Sequence, residues 1–187
     1  VAQNIGMTLI PIHTNVYLRY RDEDAADNFR FWNDKFMGAA LASVAHALAK
    51  RLTVVSIASA RHLHDQVPHG SHPLVDTNYS SSDLRIRHDG VTLSRLARTK
   101  LVADSGELLE NIRVCNQYKL YRPGRLNCGR CEKCVRTMLA LLVLGALNKT
   151  GAFPDDDVSE ELAWSAIELK DELLPLYEEL IMPLNKK

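Results

Sequence analysis

The chain has 187 residues, enough for one domain, or one domain with an appendage, around a substantial buried core. Its 23 basic and 23 acidic residues balance, so no net charge draws the whole chain toward nucleic acid or a membrane surface. The longest apolar stretch, TMLALLVLGAL, is too short to cross a bilayer, and no signal peptide opens the chain, so we expect a cytoplasmic protein without a membrane partner.

Strand and helix patterns alternate in the first part of the chain. Residues 7–16 form an apolar, β-branched run that predicts a buried strand. Residues 24–36 and the alanine-rich residues 37–51 have helical spacing, and His46 is assigned to helix packing rather than to metal binding. Residues 52–60 predict a second apolar strand. Because two apolar strands flank the helices, we expect a parallel sheet covered on both faces.

The next segment is polar and irregular. Residues 61–82 hold four histidines, two prolines and a run of serines, which predicts a long loop. Loops of this length in a compact domain are often functional, although a solvated polar loop has the same composition. A second metal site on the histidines is disfavoured, because no pair has i, i+4 spacing on a predicted helix.

A further strand and a basic helix follow this loop. The stretch DLRIRHD predicts a strand that ends in a turn at Gly90. Ser94 is placed to cap a helix over residues 95–104. The stretch NIRVC, residues 111–115, predicts a strand that delivers the first cysteine.

The C-terminal part of the chain is predicted to be helical. Residues 135–147 form a strongly apolar helix, which suits a buried core helix and a homodimer interface equally well. A glycine and a proline within residues 151–154 are expected to end it. The acids at 155–157 suit a helix N-terminus, and residues 158–183 form an acidic helical region that Pro175 should break or kink.

All four cysteines of the chain lie within one short stretch. Cys115 is followed after twelve residues by Cys128, and Cys131 and Cys134 follow at intervals of two residues. Such gaps let neighbouring thiolates converge on one ion, and Gly129 allows the tight turn that this needs. Four thiolates close a tetrahedral zinc shell, as in structural sites. An iron–sulfur cluster stays the alternative, since a cytosolic disulfide is disfavoured and a redox pair would leave two thiols unused.

These features together resemble one enzyme superfamily. The chain is similar to the PP-loop ATP pyrophosphatases in its predicted parallel α/β half and in its cysteine motif, which has Arg136 two residues after the last cysteine. Two stretches between these parts, GSHPLVDTNYSSS and HDGVTLSRLARTKLV, also resemble the superfamily. Within that superfamily, residues 7–148 resemble the 7-cyano-7-deazaguanine synthase family, which carries four zinc cysteines near its C-terminus. The cysteine spacing is the specific part of this resemblance, and the remainder is a looser pattern.

The resemblance implies a Rossmann-like, adenine nucleotide alpha-hydrolase-like α/β fold: a parallel sheet with flanking helices, plus a four-cysteine zinc knuckle and a helical C-terminal tail. The expected domains are a partial nucleotide-binding domain at 1–104, a zinc-binding region with a buried helix at 105–150 and an acidic helical tail at 151–187. The family's SGGxDS loop, which wraps the pyrophosphate of ATP, does not occur in this chain. We therefore expect either a preceding segment that carries this loop or a relative that has lost catalysis.

The resemblance also implies a function. Family members adenylate a carboxylate or carbonyl oxygen with ATP and Mg²⁺, release pyrophosphate and let ammonia or sulfur displace AMP. We therefore expect an ATP-dependent ligase or amidating enzyme that acts on a small acid, with a 7-deazapurine carboxylate, as in queuosine biosynthesis, as one option. The alternatives are a tRNA-modifying enzyme of the same fold, which grips RNA with the basic stretch 113–136, and a non-catalytic zinc-stabilised interaction domain.

Cationic candidates for catalysis come from the resemblance. Arg95, Lys100 and Arg136 are the expected catalytic residues, since cations at a phosphate site form charge-assisted hydrogen bonds and stabilise the transition state electrostatically. An alternative role for Arg136 is a salt bridge with Glu132, four residues earlier.

The other candidate residues are polar groups on loops and at strand ends. His72 and Asp76, in the polar loop, are the expected substrate contacts. Ligands of open α/β sheets bind outside the carboxyl ends of the strands. The expected nucleotide contacts at those ends are Thr14, Asn15, Ser56 and Ser59. Zinc is expected on the four cysteines, where it would shape the wall of the substrate pocket and do no chemistry.

Overall fold

The computed structural model describes residues 1–15 and 30–185. The chain divides into two compact units. The cysteine unit contains Val1–Leu9 and Ser94–Lys187, and the sheet unit contains Ile10–Leu93.

The sheet unit is built on two parallel strands. Strand β1 (Val54–Ala58) pairs with β2 (Arg85–Asp89) in parallel. A parallel sheet is therefore present, but the partner of β1 is the strand predicted at DLRIRHD and not the run at residues 7–15. Helix α1 (Met37–Ala47) follows a π-helical turn at Trp32–Phe36. The side chains that α1 buries are small, at Ala40, Ala42 and Ala45. The buried core of this unit consists of Ala42, Ala45, Ile57, Leu84 and Ile86. The wider Rossmann-like sheet stays a prediction.

The polar loop between β1 and β2 contains more ordered structure than its composition predicts. A short helix α2 (Pro73–Asp76) lies between 3-10 turns at Leu63–Asp65 and Thr77–Tyr79. The chain therefore crosses between its two parallel strands through short helical turns. His46, on α1, is exposed, and its Nε2 lies 2.7 Å from the carbonyl oxygen of Tyr79.

The predicted first strand is wrong for the residues that the structure describes. Residues 7–15 have no regular secondary structure, and the side chains of Met7 and Leu9 are 64% and 75% exposed. Pro11 interrupts this run, and a proline lacks the N–H that a strand within a sheet donates. Val16 and residues 24–29 of the predicted first helix lie outside the described residues.

The cysteine unit is helical. Helix α3 (Arg95–Ala103) begins after Ser94, whose side chain accepts a hydrogen bond from the Ala97 N–H, as predicted. Four further helices follow in chain order: α4 (Gly106–Glu110), α5 (Glu132–Val143), α6 (Glu160–Ala166) and α7 (Leu174–Leu184). Helix α5 is central, because its buried face contributes Cys134, Met138 and Leu141 to the core. Among the described residues, no helix is both long and apolar enough to cross a membrane.

Three predictions for this unit are wrong in detail. Residues 111–115 form no strand. Helix α5 ends at Val143, before the predicted stop, because Gly145 takes a left-handed φ of 65° and closes the helix end. Helix α6 begins at Glu160, after the acids at 155–157, because the Ser159 side chain caps it through the Leu162 N–H.

The C-terminal segment is part of the cysteine unit. Pro175 stands in the first turn of α7, where its missing N–H costs no helical hydrogen bond, so it begins a helix and does not kink one. The chain divides after Leu93, not after residue 104, and the predicted tail at 151–187 falls in the same unit as the cysteines. Leu176, Tyr177 and Leu180 on α7 are buried, and α7 packs against α3 and α5.

Candidate metal centre and basic cavity

The four cysteines converge on one point. Their sulfur atoms all lie within 4.8 Å of one another. The Sγ of Cys131 lies 3.7 Å from that of Cys115 and 3.5 Å from that of Cys134, and the Cys128 and Cys134 sulfurs are 3.7 Å apart. None of the four forms a disulfide. The structure therefore brings together the four cysteines that the sequence spacing predicts as one cluster.

This geometry fits a tetrahedral metal ion. Four sulfurs at about 2.3 Å from a central zinc lie about 3.8 Å from one another, close to the distances between these thiols. The donor set contains sulfur alone, which zinc and iron–sulfur centres prefer and which hard cations such as Mg²⁺ do not. With four protein ligands the shell is closed, so the bound metal would hold the fold together and leave no open position for a substrate.

Burial disfavours the thiolate form at part of the cluster. Burial raises the pKa of the Cys134 thiol, and burial also raises the pKa of Cys131. Burial acts on Cys115 in the same direction, but hydrogen bonds outweigh it and lower the pKa of Cys115 to about 7. These come from the backbone N–H groups of Cys128 and Gln117 and from the Cys128 and Cys131 thiols. A dication at the centre would reverse the burial penalty and favour all four thiolates.

The knuckle, residues 128–134, is shaped by a glycine and by a helix start. Gly129 has a left-handed φ of 73°, as the predicted tight turn requires. A Cβ on this residue would lie 2.4 Å from Cγ of Pro154. Cys131 is the N-cap of α5 and Cys134 lies in its first turn, so the positive end of the helix dipole faces the thiolates.

Asn127 is a structural residue of this site that was not predicted from the sequence. Its side chain is fully buried. The Oδ1 atom accepts hydrogen bonds from the N–H groups of Val114 and Cys115, at 2.9 and 3.2 Å. The Nδ2 atom donates to the carbonyl oxygens of Ile112 and Ala152, at 2.9 and 3.1 Å. Asn127 thus supplies the hydrogen bonds that a neighbouring strand would have given to the segment before Cys115.

A basic cavity of about 280 Å³ lies in the cysteine unit. Four cationic side chains and one acidic side chain line it together with apolar and hydroxyl groups. The charged residues are Arg95 from α3, Arg113 from the segment before Cys115, Lys133 and Arg136 from α5, and Glu179 from α7. The cavity therefore carries excess positive charge and is suited to an anion.

Arg136 is held in place by neighbours on two helices. Its Nη1 lies 3.2 Å from Oε1 of Glu132, which confirms the i, i+4 pairing considered from the sequence. The Tyr177 hydroxyl donates to the same Oε1 at 2.9 Å, and the guanidinium lies over the Tyr177 ring at 6.0 Å. The Arg136 side chain is 12% exposed, so it reaches the cavity from a largely buried position.

Two of the three predicted catalytic cations meet in the basic cavity. Arg95 and Arg136 both line it, although they lie far apart in the sequence. Lys100 does not line it, because its ammonium is exposed and pairs with Asp104 at 2.6 Å. Lys133 and Arg113 were not predicted as cavity residues. The i, i+3 spacing of Lys133 and Arg136 was the available signal.

The predicted nucleotide contacts all lie in the sheet unit. Thr14 and Asn15 are exposed in a segment without regular secondary structure. The Ser56 hydroxyl accepts a hydrogen bond from Nε of Arg87, and Ser56 lines an otherwise aliphatic cavity of about 350 Å³. Ser59 is buried, and its hydroxyl donates to the Arg61 carbonyl. No charged residue lines the aliphatic cavity among the described residues, so phosphate would find no counter-charge there.

The predicted substrate contacts have structural partners. The His72 ring caps α2 by accepting a hydrogen bond from the Leu74 N–H. Asp76 is fully buried, and its Oδ2 accepts hydrogen bonds from the Ser71 hydroxyl and the His88 ring, at 2.7 and 2.8 Å. A ligand could reach this carboxylate only if the surrounding residues moved. In the described structure, Asp76 links α2 to β2 through its hydrogen bond with His88.

No protein-family model, curated protein or solved structure matches this chain. The cysteine cluster and the basic cavity are the features of the described structure that bear on function.

Proposed function

We propose that this chain is the zinc-stabilised, anion-binding part of a PP-loop-type ATP-dependent ligase, and that the basic cavity holds a phosphate or carboxylate group of ATP or of a small acidic substrate. The observation that carries the proposal is the convergence of Arg95 and Arg136 on one cavity beside the cysteine cluster. Both cations are the ones for which the family resemblance implies a catalytic role.

Zinc would act on the cavity through the first turns of α5. Cys131 and Cys134 anchor the start of this helix, and Lys133 and Arg136 project from the same stretch into the cavity. A closed four-thiolate shell supplies rigidity and no open coordination position. Loss of the metal should therefore weaken anion binding by moving the cations, without any direct contact between metal and ligand.

The cavity cations have the chemistry that adenylation needs. Charge builds up on phosphate oxygens as pyrophosphate leaves, and fixed guanidinium groups stabilise it electrostatically. Arginine pairs with phosphate and carboxylate groups through two parallel N–H bonds, which also orients them. The pairing of Arg136 with Glu132 and Tyr177 fixes its direction before a ligand arrives.

The test compares cavity cations with a cation outside the cavity. Arg95→Gln and Arg136→Gln are the test variants, and Lys100→Gln, on the same helix as Arg95, is the matched control. Zinc content per chain and the binding of ATP and AMP are measured by metal analysis and calorimetry. We expect one zinc per chain and ATP binding that is weakened about tenfold or more by either arginine change, since a hydrogen bond to a charged group contributes about 1.5–3 kcal/mol.

Lys100→Gln should change ATP binding little, because Lys100 lies outside the cavity. Equal weakening by Lys100→Gln, or wild-type protein that binds zinc but neither nucleotide, would contradict the proposal.

An RNA-binding relative is the second candidate, and one surface feature favours it. The loop between the first two cysteines exposes Lys119, Arg122 and Arg125, and Arg130 is exposed within the knuckle. Exposed cations of this kind suit phosphate backbone contacts. Binding of tRNA that falls steeply with salt and is lost when these residues are neutralised would favour this candidate over the small-molecule ligase.

A further inference from the structure

Glu179 introduces a negative charge among the cations of the basic cavity. Its Oε1 accepts a hydrogen bond at 2.9 Å from the Leu96 N–H, in the first turn of α3. Its Oε2 is buried and receives no hydrogen bond from any of the described residues. A buried acceptor left without a donor is unfavourable. A ligand that brings a donor to Oε2 would remove this penalty.

Cationic side chains share the cavity with Glu179. Arg95 and Arg136 line it together with Glu179, and opposite charges at short range attract one another. Arg98 also interacts with it: burial lowers the pKa of Arg98, and the attraction of Glu179 opposes that change. An ionised carboxylate only accepts hydrogen bonds. An oxygen of the ligand that faces Glu179 must therefore carry a hydrogen.

The ligand must consequently satisfy two opposite demands. The four cations require anionic oxygens, and Glu179 requires a donor on the same small group. Phosphate and its monoesters meet both demands near pH 6. The second pKa of a monoester lies at about 6, and that of free phosphate is higher, so at least one oxygen is often protonated. Sulfate carries no proton at this pH, so one of its anionic oxygens would face the carboxylate and be repelled.

We propose that Glu179 makes the basic cavity selective for a protonated oxyanion, a hydrogen phosphate or a phosphate monoester, over a fully ionised one such as sulfate. This inference rests on the proposed function, since it assumes that the cavity binds an anion. Under this inference, Glu179 is the residue that discriminates among anions of similar size and shape.

The experiment measures inorganic phosphate and sulfate binding by calorimetry near pH 6 at constant ionic strength. Wild-type protein is compared with Glu179→Gln, whose amide still accepts from the Leu96 N–H and can donate to a ligand oxygen. Glu178→Gln is the matched control, because Glu178 is the exposed neighbour on α7 and the change in charge is the same. Zinc content and thermal melting establish that each variant is folded.

We expect wild-type protein and Glu178→Gln to bind phosphate about tenfold or more tightly than sulfate, while Glu179→Gln binds the two anions about equally or prefers sulfate. A parallel titration with AMP identifies the source of the group. Binding of AMP with the same dependence on Glu179 indicates a monoester, and phosphate binding without AMP binding indicates the free ion.

Two results separate the failure of this inference from that of the proposed function. Equal binding of phosphate and sulfate by the wild type, or unchanged selectivity in Glu179→Gln, overturns the role of Glu179 and leaves the anion site intact. Zinc-loaded, folded wild-type protein that binds none of phosphate, sulfate, AMP and ATP overturns both.

Discussion

Gly129 combines a left-handed backbone with a close neighbour. A Cβ there would face Cγ of Pro154 at 2.4 Å, whereas Gly124, with an almost identical φ of 74°, has no atom within 4 Å of the corresponding position. Each glycine-to-alanine change should cost about 1–2 kcal/mol for the left-handed conformation alone. Gly129→Ala should cost clearly more and should also weaken zinc binding, because the knuckle must shift to relieve the clash.

Denaturant unfolding and zinc content of the two alanine variants test this expectation. Gly124→Ala serves as the control for backbone strain without a clash. Equal losses of stability in the two variants would show that Pro154 can move aside without a cost in free energy, and that the knuckle does not depend on this contact.

Residues whose role depends on local geometry are predictable from the sequence. The turn at Gly129 and the cap at Ser94 involve neighbours within a few positions, the four cysteines lie within twenty residues of one another, and the structure confirms all three predictions. Asn127 and Glu179 could not be predicted, because the groups they contact come from distant parts of the chain. Nothing near an asparagine or a glutamate in sequence indicates such partners.

At the scale of elements, Asn127 stabilises a segment that has no strand partner. Asn127→Asp keeps the shape of the side chain, but it removes both N–H donors and places a negative charge beside the carbonyl oxygens of Ile112 and Ala152. Because each buried group left unsatisfied costs about 1–3 kcal/mol, we expect a loss of about 2–6 kcal/mol in the free energy of unfolding. Thermal or denaturant unfolding of the purified variant measures this loss.

Asn148→Asp is the matched control for this change. Asn148 is exposed, and its substitution should alter stability by less than about 0.5 kcal/mol. A stable Asn127→Asp protein with normal zinc content would show that this segment does not depend on the four side-chain hydrogen bonds.

The helices were easier to predict than the strands, for a physical reason. A helix satisfies its backbone within itself, so local patterns predict helices that the structure contains: apolar residues for α1 and α5, and the Ser94 cap for α3. A strand needs a partner, and partners are not visible in a local pattern. The runs at 7–15 and 111–115 therefore have strand-like composition without forming strands, whereas β1 and β2 find each other.

At the scale of the whole molecule, the two units have different kinds of core. The sheet unit buries aliphatic side chains of α1, β1 and β2. The core of the cysteine unit includes Cys115, Cys128 and Cys134 beside Met138, Leu141 and Phe153. Candidate metal ligands thus occupy positions that leucine or valine fill in an ordinary core, and the stability of this unit should depend on an ion bound there.

Removal of the metal should therefore unfold or loosen the cysteine unit. Zinc binding to a four-ligand structural site contributes about 10–16 kcal/mol, which is as large as the roughly 5–15 kcal/mol that separates most folded domains from their unfolded chains. We expect a strong chelator, or Cys131→Ser, to abolish hydrogen-exchange protection around Cys115 and along α5, and added zinc to restore it for the wild type only. Peptides from β1 and β2, whose core contains no cysteine, provide the internal reference. Full protection of α5 in metal-free protein would mean that packing by Met138 and Leu141 suffices, and that the cysteine cluster has a role other than stability.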